Sequence, residues 1–342
     1  MTILFRSLLI IFSVAFFISC NHSTNTTDAT TVAEARDTSA YGKRLAELSE
    51  KIIANPSDAS LLNQRAKLYL EKHDVGNAII DAQKLLTLDT TNSDYFVTVA
   101  NVHFAAGKSG RSKAALEKAL SIDPKNKDAN MKLAELYLYV QKYDQSISYL
   151  NNVLKEDIHN PKAYFMKGMT FKEMGDSAKA ISSFQTAIEQ QPDYYEPFMQ
   201  LGIIYTMKNN PLALQYFDGA IRINSRSEEA LYGRAMWYQE HAHSFDKAIQ
   251  DYTTITQINP NNKNAHFNLG YVHYYYLKVY REAIKHYTNA INADPNYVDA
   301  YYNRGVCFET LGDIAAAKKD FEKSLEIRPD YEAAKEGIQR VK

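Results

Sequence analysis

Cysteine is almost missing from this 342-residue chain: Cys20 and Cys307 are the only two, too few for a disulfide scaffold or a four-cysteine zinc site. Glycine and proline are also sparse, at 13 and 9 residues, fewer than a sandwich or barrel with a turn at roughly every tenth residue would need. Charge of one sign is lacking too. With 39 basic and 40 acidic residues the net charge is -1, so no global field gathers nucleic acid or an anionic membrane surface. The longest apolar run, Ser7 to Ile18, has twelve residues, short of the roughly 20 that a helix needs to cross a bilayer. What is present fits a folded, helical protein. Hydrophobic residues make up 45% and charged residues 23%, and 25 tyrosines outnumber 15 phenylalanines. Tyrosine suits surfaces that are apolar on one side and wet on the other.

The apolar run follows Arg6 and ends in Ser19-Cys20, which has the length and order of a signal-peptide core. The arrangement resembles a bacterial lipoprotein signal, although Phe17 stands where that family prefers Leu. The resemblance implies a signal peptide over residues 1–19 and lipidation at Cys20. A non-lipidated secretory signal and an uncleaved anchor helix stay open beside it. Asn21 to Asp37 is rich in Asn, Thr and Ser without hydrophobic period, so residues 20–39 read as a flexible tether. The first acidic residue after Cys20 is Asp28; by the same resemblance this favours a lipid-anchored position at the outer membrane, facing the periplasm.

The prolines form a ladder. Pro56, Pro124, Pro192 and Pro260 are 68 residues apart, twice 34, and Pro295 and Pro329 follow at steps of 35 and 34. Before each rung runs a helix-period pattern, such as Ala180-Ile181, Phe184 and Ala187-Ile188 ahead of Pro192, which the proline ends. A second helical stretch lies upstream across a turn such as Gly175-Asp176 or Gly312-Asp313. Each period is therefore a helical hairpin. Midway along the first helices every period carries a small residue: Ala66, Ala100, Ala134, Gly168, Gly202, Ala235, Gly270 and Gly305. Three residues on, aromatics recur at Tyr69, Tyr137, Phe171, Tyr205, Tyr238 and Phe308, with His103 and His273 as departures.

This pattern resembles the tetratricopeptide repeat, in which the small residue lets the second helix cross closely. The resemblance implies an all-α, right-handed α-solenoid of about eight helical hairpins over residues 40–342. The repeats run at about 59–92, 93–126, 127–160, 161–194, 195–227, 228–262, 263–297 and 298–331, with a capping helix at 332–342. Ala40 to Ala54 reads as a lone helix before the first repeat. Repeat five is one residue short between its helices, and repeats six and seven are one residue long there.

In this family neighbouring first helices line a concave groove, which here would be built from the fifth, ninth and twelfth repeat positions. Between repeats three and eight these positions are mostly Met, aromatic and aliphatic. Met131, Phe165, Met169, Met199, Ile203, Tyr232, Met236, Phe267, Tyr271, Tyr274, Tyr275 and Tyr302 are the expected partner-groove residues. An exposed apolar stripe marks a partner site, and Met lets it repack around a ligand. Burial of part of the stripe by the protein itself is the other reading. Asn268 and Asn303 only partly match the groove positions with which some relatives hold a terminal carboxylate, and Asp94, Asp128, Glu196, Glu229 and Asp299 give the rim an acidic margin.

Chemistry is absent from the pattern. His241 and His243, or His266, His273 and His286, have no metal-ligand spacing, and Gly107-Lys108-Ser109-Gly110 is a hairpin turn without the strand and spaced glycine of a phosphate loop. Cys307 next to Phe308 reads as a buried thiol. The expectation is a non-catalytic, membrane-tethered scaffold of the bacterial envelope that binds a protein or peptide and uses no cofactor, metal, nucleic acid or small-molecule substrate. The alternative is an obligate accessory subunit of an envelope secretion, pilus or outer-membrane assembly machine.

Overall fold

The computed structural model describes residues 39–342; the signal segment, Cys20 and the tether up to residue 38 lie outside the described residues. Two compact units divide at Glu47, and the unit from Leu48 to Lys342 holds the repeats. The described residues form eighteen α-helices and no strand. After α1 (Ala40–Ala54) come eight hairpins: α2 (Ala59–Glu71) with α3 (Val75–Leu88), α4 (Ser93–Ala105) with α5 (Ser109–Ile122), α6 (Lys127–Tyr139) with α7 (Tyr143–Glu156), and α8 (Pro161–Glu173) with α9 (Ser177–Gln190). They continue as α10 (Tyr195–Met207) with α11 (Leu212–Ile223), α12 (Glu228–Glu240) with α13 (Phe245–Ile258), α14 (Lys263–Tyr271) with α15 (Tyr280–Ala293), and α16 (Val298–Thr310) with α17 (Ile314–Ile327). A last helix, α18 (Glu332–Arg340), closes the array. The all-α solenoid expected from the repeat is the fold observed.

Local chemistry sets the helix ends. Most first helices open on a polar residue whose side chain accepts a backbone N–H, such as Asn126 from Ala129, Asn160 from Ala163, Ser227 from Ala230 and Asn262 from Ala265; α10 and α16 open on Tyr194 and Tyr297 without such a bond. Each such cap contributes about 1 kcal/mol. Within the hairpins, every turn holds one residue at positive φ: His73, Gly107, Gln141, Gly175, Asn209, His243, Lys278 and Gly312. Glycine is at ease there, but His73, Gln141, His243 and Lys278 take the left-handed region at a steric cost of about 1–2 kcal/mol each. The sequence patterns at Gly175 and Gly312 signal such a turn; those at Gln141 and Lys278 do not.

The small residue of each first helix faces one side chain of the second. Gly168 faces Phe184, Gly202 faces Phe217, Gly270 faces Tyr287 and Gly305 faces Phe321. A Cβ at Gly168 would lie 2.5 Å from the Phe184 ring. In the same two repeat positions stand Ala100 with Leu116 and Ala134 with Leu150, all nearly or fully buried. In most repeats volume is thus balanced across the pair, glycine opposite a ring and alanine opposite leucine, while repeat one sets Ala66 opposite Ala82. Ala235 opposite Tyr252 is the one alanine that faces a ring.

A second pair of positions bolts hairpins together. Arg65, Arg234 and Arg304 each hold a second-helix carboxylate with two bonds: Asp81 at 2.8 and 2.7 Å, Asp251 at 2.8 and 2.7 Å, and Asp320 at 2.7 and 2.8 Å. The remaining guanidinium nitrogen of each donates to the preceding helix, to Ser49, Asp218 and Thr288 respectively. Hydrogen bonding to Asp81 and Asp251 raises the pKa of Arg65 and Arg234 further above the ordinary arginine range. Other repeats fill these positions with apolar or mixed pairs, such as Leu133 with Tyr149 and Leu201 with Tyr216.

Repeat seven departs from the others. Its extra residue is taken up at the end of the first helix, where Val272–Tyr276 form a π-helical turn and Leu277 N–H reaches back to Val272. Repeat six instead loops its extra residue out, with His243 at φ 49° and Ser244 N–H returning to the Tyr238 carbonyl at 2.8 Å.

Candidate functional site

Positions five, nine and thirteen of a first helix are four residues apart and so share a face. Exposure on that face is graded. At position five, Asn63, Val97 and Met199 are buried, and Met131, Phe165, Tyr232, Phe267 and Tyr302 are half-buried. At position nine, Met169, Ile203, Met236 and Tyr271 are all half-buried. Position thirteen is exposed in all eight repeats, from Glu71 to Thr310.

The aromatic position-five side chains are partly covered by rings around them. Phe165 packs between Phe184 and Tyr194, with ring centroids 5.7 and 5.4 Å away. Phe267 lies between Tyr287 and Tyr297 at 5.5 and 5.1 Å, and Tyr302 between Phe321 and Tyr331 at 5.7 and 5.4 Å. Burial of the ring pushes the Tyr194 phenol up to about 12 and raises Tyr297 and Tyr331 as well. Tyr232 packs edge-on against Tyr252 at 5.8 Å. This row is a floor, held by the end of its own repeat, with only part of each ring free.

The π-turn separates the tyrosines of repeat seven. Tyr271 and Tyr275 stack in parallel at 5.4 Å, and Tyr275 is 52% exposed. Tyr276 meets both edge-on, at 5.9 and 5.1 Å, and stacks on Phe245 at 4.2 Å. Tyr274 turns away from them into the packing of Ala283, Tyr287 and Cys307. Lys278 lies over the rings of both Tyr275 and Tyr274, at 5.2 and 5.9 Å.

The two asparagines that partly match a carboxylate-holding pattern are engaged in the scaffold. Asn268 donates to the Tyr232 hydroxyl at 2.9 Å, and Asn303 donates to the Asp299 carbonyl at 2.7 Å. Rim carboxylates divide. Asp94 accepts from Asn126 at 2.7 Å and Asp299 from the Tyr331 hydroxyl at 2.9 Å, which ties the start of a repeat to its end, whereas Asp128, Glu196 and Glu229 are solvent-exposed.

Among the described residues no group of three or more His, Cys, Asp or Glu is arranged to hold a metal ion, and no helix is long and apolar enough to cross a membrane. Cys307 is fully buried, and burial pushes its thiol up to about 12, far from a reactive thiolate.

Repeat seven also stacks three imidazoles. His273 and His286 are parallel at 5.3 Å, and His266 is 6.5 Å from His286. All three have a buried Nδ1 without a hydrogen-bond partner. Burial, then the neighbouring His273 and His266, pushes His286 down to about 4, with Glu282 opposing and Lys285 assisting. Burial lowers His273 too. Because the folded pKa of His286 lies below the unfolded value of 6.5, the unfolded chain binds the proton more readily. Stability is complete above about pH 6.5 and falls progressively towards pH 4, by about 1 kcal/mol for this half-buried group. Thermal melts at pH 7 and pH 4.5 check this, and His286→Leu is expected to reduce the difference between them.

An all-helical array of hairpins with one graded face defines a repeat solenoid, and comparison with known proteins says which kind. Two tetratricopeptide repeat sequence models match residues 161–194 and 298–331 respectively, and a further TPR repeat model matches 274–312. A model described as anaphase-promoting complex, cyclosome, subunit 3 matches 71–153. The chain carries tetratricopeptide repeats, and its fold is a tetratricopeptide solenoid. It is similar to the C-terminal part of a TPR repeat-containing protein from Cytophaga hutchinsonii, with TM-score 0.53 and 16% identity over 66% of this chain and 93% of that one. It is also similar to Pseudomonas aeruginosa PilF, with TM-score 0.53 and 15% identity over 59% and 92% of the two chains. At these identities the likeness is one of fold. A UDP-N-acetylglucosamine–peptide N-acetylglucosaminyltransferase of Giardia intestinalis is 37% identical over 75 residues, 22% of this chain and 5% of the enzyme. The matches span between 5% and 26% of the length of the curated relatives.

Proposed function

We propose that this chain is a non-catalytic scaffold, tethered through Cys20 to a bacterial envelope membrane, that holds a partner protein or peptide on the graded face of its first helices. The observation that carries the reading is the gradient itself. Large apolar side chains continue outward from the packed position-five floor, through half-buried Met169, Ile203, Met236 and Tyr271, to exposed Tyr139, Met207 and Tyr275. A solenoid that only had to fold would end its apolar surface at the floor, because exposed apolar rows add no packing. Tetratricopeptide arrays bind protein or peptide partners, which supports the same reading, and the apolar run ending in Ser19-Cys20 supports the tether.

One experiment tests both halves. Envelope fractions and captured partners are compared for the natural chain, Cys20→Ala, and the triple change Met169→Ser, Ile203→Ser, Met236→Ser. Cys20→Ala should leave the membrane fraction or remain at precursor size. The triple variant should keep helical circular dichroism while losing partner capture. Unchanged fractionation sinks the tether, and unchanged capture sinks the groove.

A further inference from the structure

From repeat three to repeat seven, position thirteen alternates between apolar and acidic: Tyr139, Glu173, Met207, Glu240, Tyr275. These side chains are exposed, Tyr139 and Met207 almost wholly so at 88% and 82%. Neither glutamate has a cation within ion-pair distance among the described residues; Glu240 accepts only a bond from neighbouring Gln239, at 2.7 Å. Their placement works against the fold. Glu173 and Glu240 are the last residues of α8 and α12, where the helix already presents its negative end. An acid there weakens its own helix, so the reason for it lies outside the fold. The negative helix end and the carboxylate together suit a cation from another molecule. Tyr275, at the end of the row, already has the Lys278 ammonium over its ring.

We infer that this row is a docking ledge for an extended, basic-apolar segment of the scaffold's partner, with arginine or lysine side chains on Glu173 and Glu240 and apolar side chains on Tyr139, Met207 and Tyr275. The inference rests on the scaffold reading and specifies its partner. Packed first helices lie about 10 Å apart, and an extended segment of polyproline-II type advances about 3.1 Å per residue with three residues per turn, so each repeat is covered by about three residues and every third side chain faces the ledge. The ligand then reads apolar, basic, apolar, basic, apolar at every third position.

The test is a fluorescence-anisotropy titration of the full chain with two peptides of that pattern, one with arginine and the other with glutamate at both charged positions. The arginine peptide should bind about tenfold tighter or better, as two ion pairs at the rim of an interface allow, and should weaken with salt. The double change Glu173→Lys, Glu240→Lys should reverse the preference while leaving helicity unchanged. Equal binding of the two peptides, no binding of either, or a preference untouched by the double change would overturn the ledge. Self-association that the double change abolishes, with flat peptide titrations, would give the ledge to a second copy and overturn it too. Partner capture separates this from the broader reading. If the position-nine triple variant loses capture and the glutamate variant does not, the scaffold stands and the ledge falls; if neither loses it, the groove falls as well.

Discussion

Asp320→Ala is expected to destabilise the C-terminal repeats by about 3 kcal/mol, since it strands Arg304 where its side chain is only 17% exposed. Arg304 would keep its bond to Thr288 but lose both bonds to the carboxylate. Removing one partner of a buried pair leaves an uncompensated charge, which costs more than the pair contributes. The array supplies its own control. Leu201 with Tyr216 occupies the same two positions in repeat five, so Arg304→Leu with Asp320→Tyr should recover more than half of the loss. Urea unfolding, followed by hydrogen exchange of α15 to α17, reads both, because an array of this kind can open locally.

Gly168→Ala should cost about 2 kcal/mol even though alanine is the better helix former by about 1 kcal/mol. The added methyl would sit 2.5 Å from the Phe184 ring, which is fully buried and has no free direction in which to move. Phe184→Leu alone should also destabilise, by leaving space opposite the glycine. The two together recreate the Ala100–Leu116 and Ala134–Leu150 pairs and should be less harmful than their sum. A double-mutant cycle in urea gives the coupling. Additive effects would mean that the close approach at Gly168 does not depend on the ring.

The fold was legible in the sequence because its devices recur in nearly every repeat: a small residue at one position, and a proline after most second helices. The arginine bolts were not. They occur in three repeats of eight, and Arg65 and Asp81, sixteen residues apart, become neighbours only when the second helix folds back. The π-turn was hidden for a different reason. An extra residue shows up as a longer period, yet repeat six loops it out and repeat seven keeps it in the helix, a choice made by the packing of Tyr271, Tyr275 and Tyr276.

The candidate face was only partly legible. Helical spacing picks out positions five and nine, but it does not say how far the rings of Tyr194, Tyr297 and Tyr331 cover Phe165, Phe267 and Tyr302. Tyr274, at position twelve, packs half-buried against Ala283, Tyr287 and Cys307, which the spacing alone does not reveal. Position thirteen lies at the frayed end of the helix pattern, so its alternation becomes visible only once the exposed residues are lined up.

Cys307 is the single cysteine among the described residues and is fully buried beside Ala283 and Tyr287, where repeats seven and eight meet. The molecule therefore contains its own clock for the opening of that junction. A thiol reagent can reach the sulfur only when the two hairpins part, so the rate of modification counts those partings without any label added to the chain.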